Sequence, residues 1–438
     1  MKRFLRVVSA AALPALVLGA CGSGTGTGTG GDPAAASTGG AASAAASVVN
    51  ADDCADPEGA KAPITGTLKV GWSAPTSGPL ADAVGNVIEG MKARFAVENA
   101  KGGIGGVKLE VVVKDDAFNP ERAKANVGEL IQKEGVHVLE TFGSGQVDAI
   151  ADDQNDACVP LLFAQASVPA YRDIEKFPWT TEYLPSADVE MGVVVESLKK
   201  KYPNGAKIAL AANQTESGQG IANGLKKAIE GTGFTIAAEA PLTDPRTAAS
   251  SLKSSGAPIL VNAGVTTDCL ALTQAIGRVG WKPETVIQPS NCADGATLYA
   301  PAGDAADGQQ ILRWLKDPAN AAFADDAAVK EYLQLSAANG ADSPTNSYTV
   351  NGWAIADLMV DDFTRAAKLE GGLSRVSIMQ AARTQNYQPP MFIDGISFTM
   401  SPTQAYGVLA FQPFTWKAAD KAFAVGGDVI DISSQYDK

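Results

Sequence analysis

Residues 68–120 read LKVGWSAPTSGPLADAVGNVIEGMKARFAVENAKGGIGGVKLEVVVKDDAFNP, and this stretch changes its apolar periodicity twice. Its first six residues form an apolar run typical of a buried strand. On a helix, residues 80–99 would place four apolar side chains on one face: Val84, Ile88, Met91 and Phe95. The glycine-rich run at 102–106 ends that helix, and residues 107–114 predict a second strand. The stretch therefore predicts a strand–helix–strand unit.

The same alternation continues along the chain. Further strands are predicted at 136–142, 159–163, 208–212, 235–238, 259–262 and 286–288. The helices between them are predicted after the cap Asn119 and at 146–156, 218–230, 246–254 and 268–279. Strands that alternate with helices predict parallel sheets covered on both faces. Two such runs, which meet near residue 185, predict an α/β fold of two doubly wound parallel-sheet lobes.

The first twenty residues have the layout of an export signal, with basic residues, an apolar run at 7–18 and then small residues. The apolar run is too short to span a bilayer and contains Pro14. It ends at LGAC, residues 18–21, which resembles the lipobox of bacterial lipoproteins. The resemblance implies cleavage of a signal peptide at 1–20 and a lipid on Cys21 that anchors the protein to the outer face of the cell membrane. The alternative is a secretory signal followed by a chance cysteine.

Residues 21–63 consist mostly of Gly, Ala, Ser and Thr, so we predict a disordered linker that holds the folded part away from the membrane. The chain from residue 64 to residue 438 is longer than one hydrophobic core usually serves, and this length predicts two domains. The formal net charge is −13, and removal of three basic residues with the signal makes it −16. We therefore expect no nucleic-acid partner, because phosphate contacts need clustered Lys and Arg.

Four cysteines remain when Cys21 is set aside: Cys54, Cys158, Cys269 and Cys292. In an exported protein this even number suggests disulfides, for which three pairings are possible. We favour Cys54–Cys158 with Cys269–Cys292, because the last two follow predicted neighbouring strands. A zinc site is the rival interpretation, but the sequence has no CxxC or Cys/His spacing and a single histidine. We expect no metal.

The motifs of common enzyme classes are missing from the sequence. It contains no lipase-type GxSxG, no HExxH and no phosphate-binding GxxxxGK[ST]. The glycines at 102–106 end a helix and precede a strand, which is the reverse of the order that a dinucleotide site requires. We therefore expect neither an enzyme nor a cofactor.

Binding sites of open parallel sheets lie beyond the carboxyl ends of the strands, near helix N-termini. The loops in these positions are the leading site candidates: 73–79, 142–146, 164–167, 213–220, 263–268 and 289–294. They are rich in Ser, Thr, Gly, Asn and Asp, which form hydrogen bonds without supplying a catalytic base. Trp314 lies outside these loops and is interpreted as a core residue.

Four spaced motifs stand out in the first part of the folded chain: Ser77-Gly78-Pro79, the run ENAKGGI at 98–104, the run DDA at 115–117 and Asn119-Pro120. Together they resemble the type I periplasmic binding proteins, specifically the branched-chain amino acid receptors of ABC importers. The resemblance extends from about Thr67 to Trp416. It implies an extracytoplasmic, monomeric solute-binding protein that captures a small ligand between two closing lobes and delivers it to an ABC permease and its ATPase.

The resemblance also implies that the two lobes are joined by three crossovers, which we place near residues 185, 289 and 393. Lobe 1 then comprises 64–184 plus 290–393, and lobe 2 comprises 185–289 plus 394–438. Each lobe is discontinuous in sequence.

Site residues follow from the resemblance position by position. In amino-acid-binding members, a serine after the third strand and groups after the fourth strand hold the ligand carboxylate, and the matching residues are Ser144, Ala166 and Ser167. An acidic residue that matches Asp268 would hold the ammonium. The alternative role of Ser144 and of Asp268 is a helix cap, and that of Ser167 is hydrogen bonding in the turn before Pro169.

Two departures from the family pattern leave the ligand open. Ser217 stands where these receptors usually carry an aromatic ring, and Gln165 stands where a small residue is usual. Both changes imply a more polar or differently shaped pocket. We expect an amino acid or a related small polar molecule, with a small amide or an aromatic or short carboxylate as the alternative. A second alternative is a ligand-sensing lipoprotein that signals to a membrane partner.

Overall fold

The computed structural model describes residues 48–436, and its first β-sheet is built from the N-terminal part of that range. The sheet has five strands: β1 (Thr67–Ala74), β2 (Lys108–Asp115), β3 (Val138–Thr141), β4 (Leu161–Ala164) and β5 (Thr180–Glu182). All pairings are parallel and the spatial order is β2-β1-β3-β4-β5. Every residue of β3 and β4 is buried, as expected for strands covered on both faces.

A second sheet follows in the chain. Its first five strands are parallel: β6 (Lys207–Ala212), β7 (Thr235–Pro241), β8 (Ile259–Ala263), β9 (Thr285–Gln288) and β10 (Gln310–Arg313). Each strand from β1 to β4 and from β6 to β9 coincides with a strand predicted from the sequence. The mixed α/β architecture with parallel sheets is therefore confirmed.

The last third of the chain adds antiparallel strands that the apolar periodicity did not predict. Three of them form a small separate sheet: β11 (Asn386–Tyr387), β12 (Phe398–Ser401) and β13 (Gln404–Val408). Three more return to the second sheet: β14 (Ala410–Lys417), β15 (Ala422–Val425) and β16 (Ile430–Asp431). The order of that sheet is β15-β14-β10-β9-β8-β6-β7, with β16 also paired to β14.

The chain passes between the two sheets at other points than predicted. Strand β10 pairs with β9 and β14, so residues 310–313 belong to the second sheet, although they lie within 290–393, the range predicted for lobe 1. The second passage therefore lies beyond Arg313 rather than near residue 289. The third passage lies between β13 and β14, rather than near residue 393, because β14 is the strand that rejoins the second sheet.

Twelve α-helices connect the strands of residues 48–436: α1 (Pro57–Lys61), α2 (Ala81–Ala100), α3 (Pro120–Glu129), α4 (Ser144–Asp156), α5 (Ala187–Lys201), α6 (Glu216–Ala228), α7 (Pro245–Lys253), α8 (Thr266–Arg278), α9 (Gly295–Leu298), α10 (Ala327–Ala338), α11 (Ser347–Ala366) and α12 (Arg375–Ala382). The predicted cap Asn119 accepts a hydrogen bond from the backbone N–H of Arg122. Over the same residues, no helix combines the length and apolar character needed to cross a membrane.

The predicted linker at 21–63 is too long at its C-terminal end. Residues 57–61 form α1, capped by Asp56, and Ala60 is fully buried. Val49 and Ile64 are also buried, so the folded part includes residue 48 onward rather than beginning at residue 64. The predicted signal peptide, Cys21 and the rest of the linker lie outside the described residues.

Both predicted disulfides are present. Cys54 pairs with Cys158, with their Cα atoms 5.5 Å apart, and fastens the N-terminal segment to the end of α4. Cys269 pairs with Cys292, with a Cα–Cα distance of 6.0 Å, and links the first turn of α8 to the loop after β9. Two loops at the carboxyl ends of neighbouring strands are thereby tied together.

Helices α2 and α11 approach each other closely at two glycines. A Cβ atom on Gly90 would lie 2.0 Å from the carbonyl oxygen of Thr349, and one on Gly352 would lie 1.8 Å from that of Val87. Backbone atoms cannot rotate away as a flexible side chain can. The helix pair that covers the first sheet therefore requires hydrogen in place of a side chain at both positions.

We expect Gly90→Ala to lower the free energy of unfolding by about 2 kcal/mol or more, because the added methyl group separates α2 from α11. Gly85→Ala in the same helix is the matched control, since a Cβ there has no atom within 4 Å. The control should be neutral or stabilising by up to ~1 kcal/mol through helix propensity. Urea denaturation of the two variants measures the difference, and equal stabilities would contradict the proposed close contact.

Candidate functional site

The carboxyl ends of strands from both sheets converge on one cavity. Phe142 follows β3 and Gln165 follows β4, and the two residues form a parallel bridge. From the second sheet, Thr266 follows β8 and Asn291 follows β9. The cavity volume is about 60 Å³, more than a single water molecule needs. Four of the six loops predicted as site candidates therefore supply its wall.

The remainder of the wall comes from Leu184, from the end of β10 with the segment after it, and from the start of α11. The apolar part of the wall comprises Phe142, Leu184, Leu312, Trp314, Leu315 and Val350. Trp314 therefore lines the cavity as well as packing in the core, where its indole N–H donates to the hydroxyl of Tyr183 at 3.2 Å. A ligand with an apolar body would bury that body against these side chains.

Three polar side chains form a chain of hydrogen bonds that reaches the cavity. The amide of Asn351 donates to Oε1 of Gln165 at 3.0 Å, and Nε2 of Gln165 donates to Oε1 of Glu140 at 3.2 Å. Burial raises the pKa of Glu140 well above its ordinary value, although the hydrogen bond from Gln165 opposes the shift. Burial thus favours the neutral carboxylic acid form of Glu140. The two hydrogen bonds fix the orientation of the Gln165 amide in the cavity wall.

Two basic residues in the wall already have acidic partners. Arg313 forms an ion pair with Asp317 at 3.0 Å and also donates to the hydroxyl of Ser347 at 3.2 Å. Lys316 lies 2.8 Å from Asp326 and 2.9 Å from Asp394. The positive charges at the wall are therefore neutralised by side chains of the protein itself.

The loop after β9 is held in place by a glutamate on helix α5. Glu190 on α5 accepts hydrogen bonds from the backbone N–H of Ser290 at 2.7 Å and from its hydroxyl at 2.8 Å. Burial raises the pKa of Glu190, while the two bonds from Ser290 oppose the shift. Together with the Cys269–Cys292 disulfide, this contact fixes the part of the wall that contains Ser290 and Asn291.

Helices that follow strands of the two different sheets touch each other. The hydroxyl of Ser217, near the start of α6, donates to the hydroxyl of Ser144, the first residue of α4, at 3.1 Å. Helix α4 follows strand β3 of the first sheet, and α6 follows strand β6 of the second. The structure therefore has the two sheet units closed upon each other at this point.

The residues predicted by resemblance fall into different places. Gln165 lines the cavity, and Ser144 and Ser217 form the contact just described. Three others lie outside the wall: Ala166, Ser167 and Asp268. Ala166 is buried, and the backbone carbonyl of Ser167 accepts a hydrogen bond from the N–H of Ala187 at 2.9 Å.

Asp268 is the third residue of α8 rather than its N-cap, which is Val265, and its carboxylate is held by contacts within the protein. Its Oδ2 atom accepts a hydrogen bond from the backbone N–H of Val265 at 2.9 Å, which places it in the capping arrangement of α8. The same oxygen accepts a second hydrogen bond from the amide of Asn213 at 2.7 Å. Two donors of the protein are thus already directed at this carboxylate.

Sequence reasoning missed the wall residues that lie beyond residue 300. Arg313 and Trp314 end or follow β10, and Tyr348 and Asn351 belong to the first turns of α11. The start of α11 carried a readable signal, because Asn346 is a good cap and its side chain accepts from the N–H of Tyr348. The position of α11 at the cavity depends on long-range packing, and no pattern in the neighbouring sequence indicates it.

Two carboxylates flank the contact between Ser144 and Ser217. Asp148 lies one turn further along α4 and accepts a hydrogen bond from the hydroxyl of Tyr171, and Glu216 is the first residue of α6. Burial and then the negative charge of Asp148 raise the pKa of Glu216. The repulsion from Asp148 depends on the contact between α4 and α6, so it opposes closure while Glu216 is ionised, and protonation of Glu216 at lower pH removes it.

We expect ligand affinity to rise as the pH falls from 7 to about 5, and Glu216→Gln to remove most of this dependence. At pH 7 the variant should bind about two- to five-fold more tightly, a modest gain because Glu216 is largely solvent-exposed. Calorimetric titrations at several pH values measure the effect. An unchanged pH profile in the variant would show that this carboxylate does not oppose closure.

Comparisons with known proteins agree with this fold. A sequence model of a family described as periplasmic binding protein matches residues 67–420. Leu/Ile/Val-binding protein homolog 7 of Brucella abortus is 24% identical over 349 residues, which cover 74% of this chain and 85% of that protein.

Solved structures share the fold at low sequence identity. A branched chain amino acid ABC transporter protein from Thermus thermophilus with bound valine has a TM-score of 0.74 at 17% identity, covering 83% of this chain and 96% of its own. A fatty acid ABC transporter substrate-binding protein from Thermomonospora curvata has a TM-score of 0.72 at 18% identity, covering 86% and 95%. One fold thus accompanies two very different ligands.

Proposed function

The chain belongs to the periplasmic binding protein family, and we propose that it acts, as a monomer, as the solute receptor of an ABC importer. It captures a small ligand between its two sheet units and delivers it to a permease and ATPase. The family is one of binding proteins and not of enzymes. The observation that carries the proposal is the cavity at which strand ends of both sheets converge. A ligand there contacts both sheets, so binding favours the closed arrangement.

A thermal-shift screen of small solutes tests this proposal. A ligand present at a hundred times its Kd should stabilise the fold by about 2.7 kcal/mol. The ligand should be recovered chemically unchanged after long incubation with the protein. Failure of every solute to stabilise the protein, or conversion of a ligand to a product, would reject the receptor role.

The proposed location follows from the family and from the predicted signal. The family implies an extracytoplasmic protein, and we propose that a lipid on Cys21 anchors it to the outer face of the membrane. We expect Cys21→Ala to release the protein into the medium or to leave an unprocessed precursor. Cell fractionation measures this outcome, and a variant that is still processed and still membrane-bound would contradict the anchor.

We propose that the ligand is a small molecule. The similar proteins bind ligands of different chemical classes, so they do not indicate which class this protein binds. An amino acid would follow the family resemblance, with Ser144, Ala166 and Ser167 near its carboxylate and Asp268 at its ammonium. The contacts of Asp268 with Val265 and Asn213 weaken that assignment. The cavity wall supports the other class considered, a small molecule that is not an amino acid.

A further inference from the structure

The charge balance of the cavity wall restricts what can bind there. Among the described residues that line the cavity, only Arg313 and Lys316 carry a full charge. Asp317 pairs with the first, and Asp326 and Asp394 pair with the second. A ligand carboxylate would therefore find no unpaired cation in the described part of the wall: displacing Asp317 from Arg313 would leave a buried acid without its cation, and otherwise neutral donors alone would have to compensate its charge.

Within residues 48–436, the cavity wall also lacks an acidic partner for a ligand ammonium group. No acidic side chain lies among the described residues of the wall. The carboxylates of Glu190 and Asp268 do not line the cavity, and each is held by hydrogen bonds within the protein. Burial also favours the neutral form of Glu140, which stands behind Gln165. An ammonium enclosed in the cavity would therefore be desolvated without an anionic partner.

What the wall does offer is a set of neutral hydrogen-bonding groups beside an apolar surface. Amides come from Gln165, Asn291 and Asn351, and hydroxyls come from residues such as Thr266 and Tyr348. We infer that the ligand is an uncharged molecule with an apolar body and an amide, carbonyl or hydroxyl head group. The inference rests on the proposed receptor function and names the ligand class of that same site.

A series of compounds with one carbon skeleton and different charges tests the inference. Leucine, 4-methylpentanoate, 4-methylpentylamine and 4-methylpentanamide carry, in turn, both charges, a negative charge, a positive charge and none at pH 7. The corresponding phenylpropyl series provides a second skeleton. By isothermal titration calorimetry, the neutral amide of at least one series should bind about thirty-fold more tightly than its charged counterparts. A charged member that binds most tightly in both series would overturn the inference.

Two variants locate the effect. Asn351→Leu removes the amide but keeps an apolar wall, and it should weaken binding of the neutral amide about ten-fold or more. Asp268→Asn should leave that affinity within about two-fold, because residue 268 does not line the cavity and the amide oxygen of asparagine can still accept the hydrogen bond from the N–H of Val265. A large loss of affinity in the Asp268 variant, with little loss in the Asn351 variant, would show that the ligand is held at Asp268 and would reject the uncharged class.

The result of the unrestricted solute screen separates failure of the inference from failure of the function. If the tightest ligand is uncharged at pH 7, the inference holds. If it is charged, the inference is wrong while the receptor function stands. If a folded, monomeric sample binds no solute at all, the proposed function fails and the inference fails with it.

Discussion

Replacement of Cys54 and Cys158 by serine should lower the free energy of unfolding by about 4 to 5 kcal/mol, the largest stability change that we expect from any single cross-link in the protein. The disulfide closes a loop with a sequence separation of 104 residues, so its loss frees much conformational entropy in the unfolded chain. It also releases the segment around α1 from the end of α4. Urea denaturation of the oxidised protein and the double variant measures the change.

The Cys269/Cys292 double serine variant provides the matched control. Its loop has a separation of only 23 residues, for which the same entropy relation gives about 3 kcal/mol. This variant should in addition bind ligand more weakly, because its disulfide fixes the loop that contains Ser290 and Asn291. A smaller loss from the long loop than from the short one would contradict the entropic explanation.

Ala293→Trp should reduce ligand affinity by about a hundred-fold or more, because an indole at this position fills the cavity before a ligand can enter. Ala293 lies in the loop after β9 and lines the cavity. Its backbone carbonyl accepts a hydrogen bond from the hydroxyl of Ser347, a bond that the substitution does not remove. Calorimetry with the tightest ligand from the solute screen measures the loss.

Ala296→Trp is the control for this steric block. Ala296 is exposed on α9, three residues further along the chain, and does not line the cavity. The control variant should bind ligand as the unmodified protein does. If both tryptophan variants bound normally, the ligand would have to occupy another part of the molecule.

The parallel strands and most helices could be predicted from the sequence because their signals are local. A buried apolar run or a helical stripe is encoded within about ten neighbouring residues. Strand β10 and its partner β14 have no such signal, since residues 310–313 pair with residues 412–415 a hundred positions away. The lobe boundaries were misplaced for the same reason.

The site was predictable to the level of loops rather than side chains. The rule that ligands bind beyond the carboxyl ends of parallel strands selected the loops that contain Phe142, Gln165, Thr266 and Asn291. It could not show that the carboxylate of Asp268, in the first turn of α8, accepts a hydrogen bond from the N–H of Val265 and lies outside the cavity wall. Nor could it place Asn351 beside Gln165, because 186 residues separate them in the chain.

We propose that the cavity between the two sheets binds an uncharged small solute. The most direct test is a crystal structure of the protein with the tightest ligand from the solute screen. We expect density for a neutral molecule between Gln165 and Asn351 on one side and Asn291 on the other, with Asp268 still bonded to Val265. Density for a zwitterion whose ammonium contacts Asp268, or a ligand bound away from this cavity, would contradict the account.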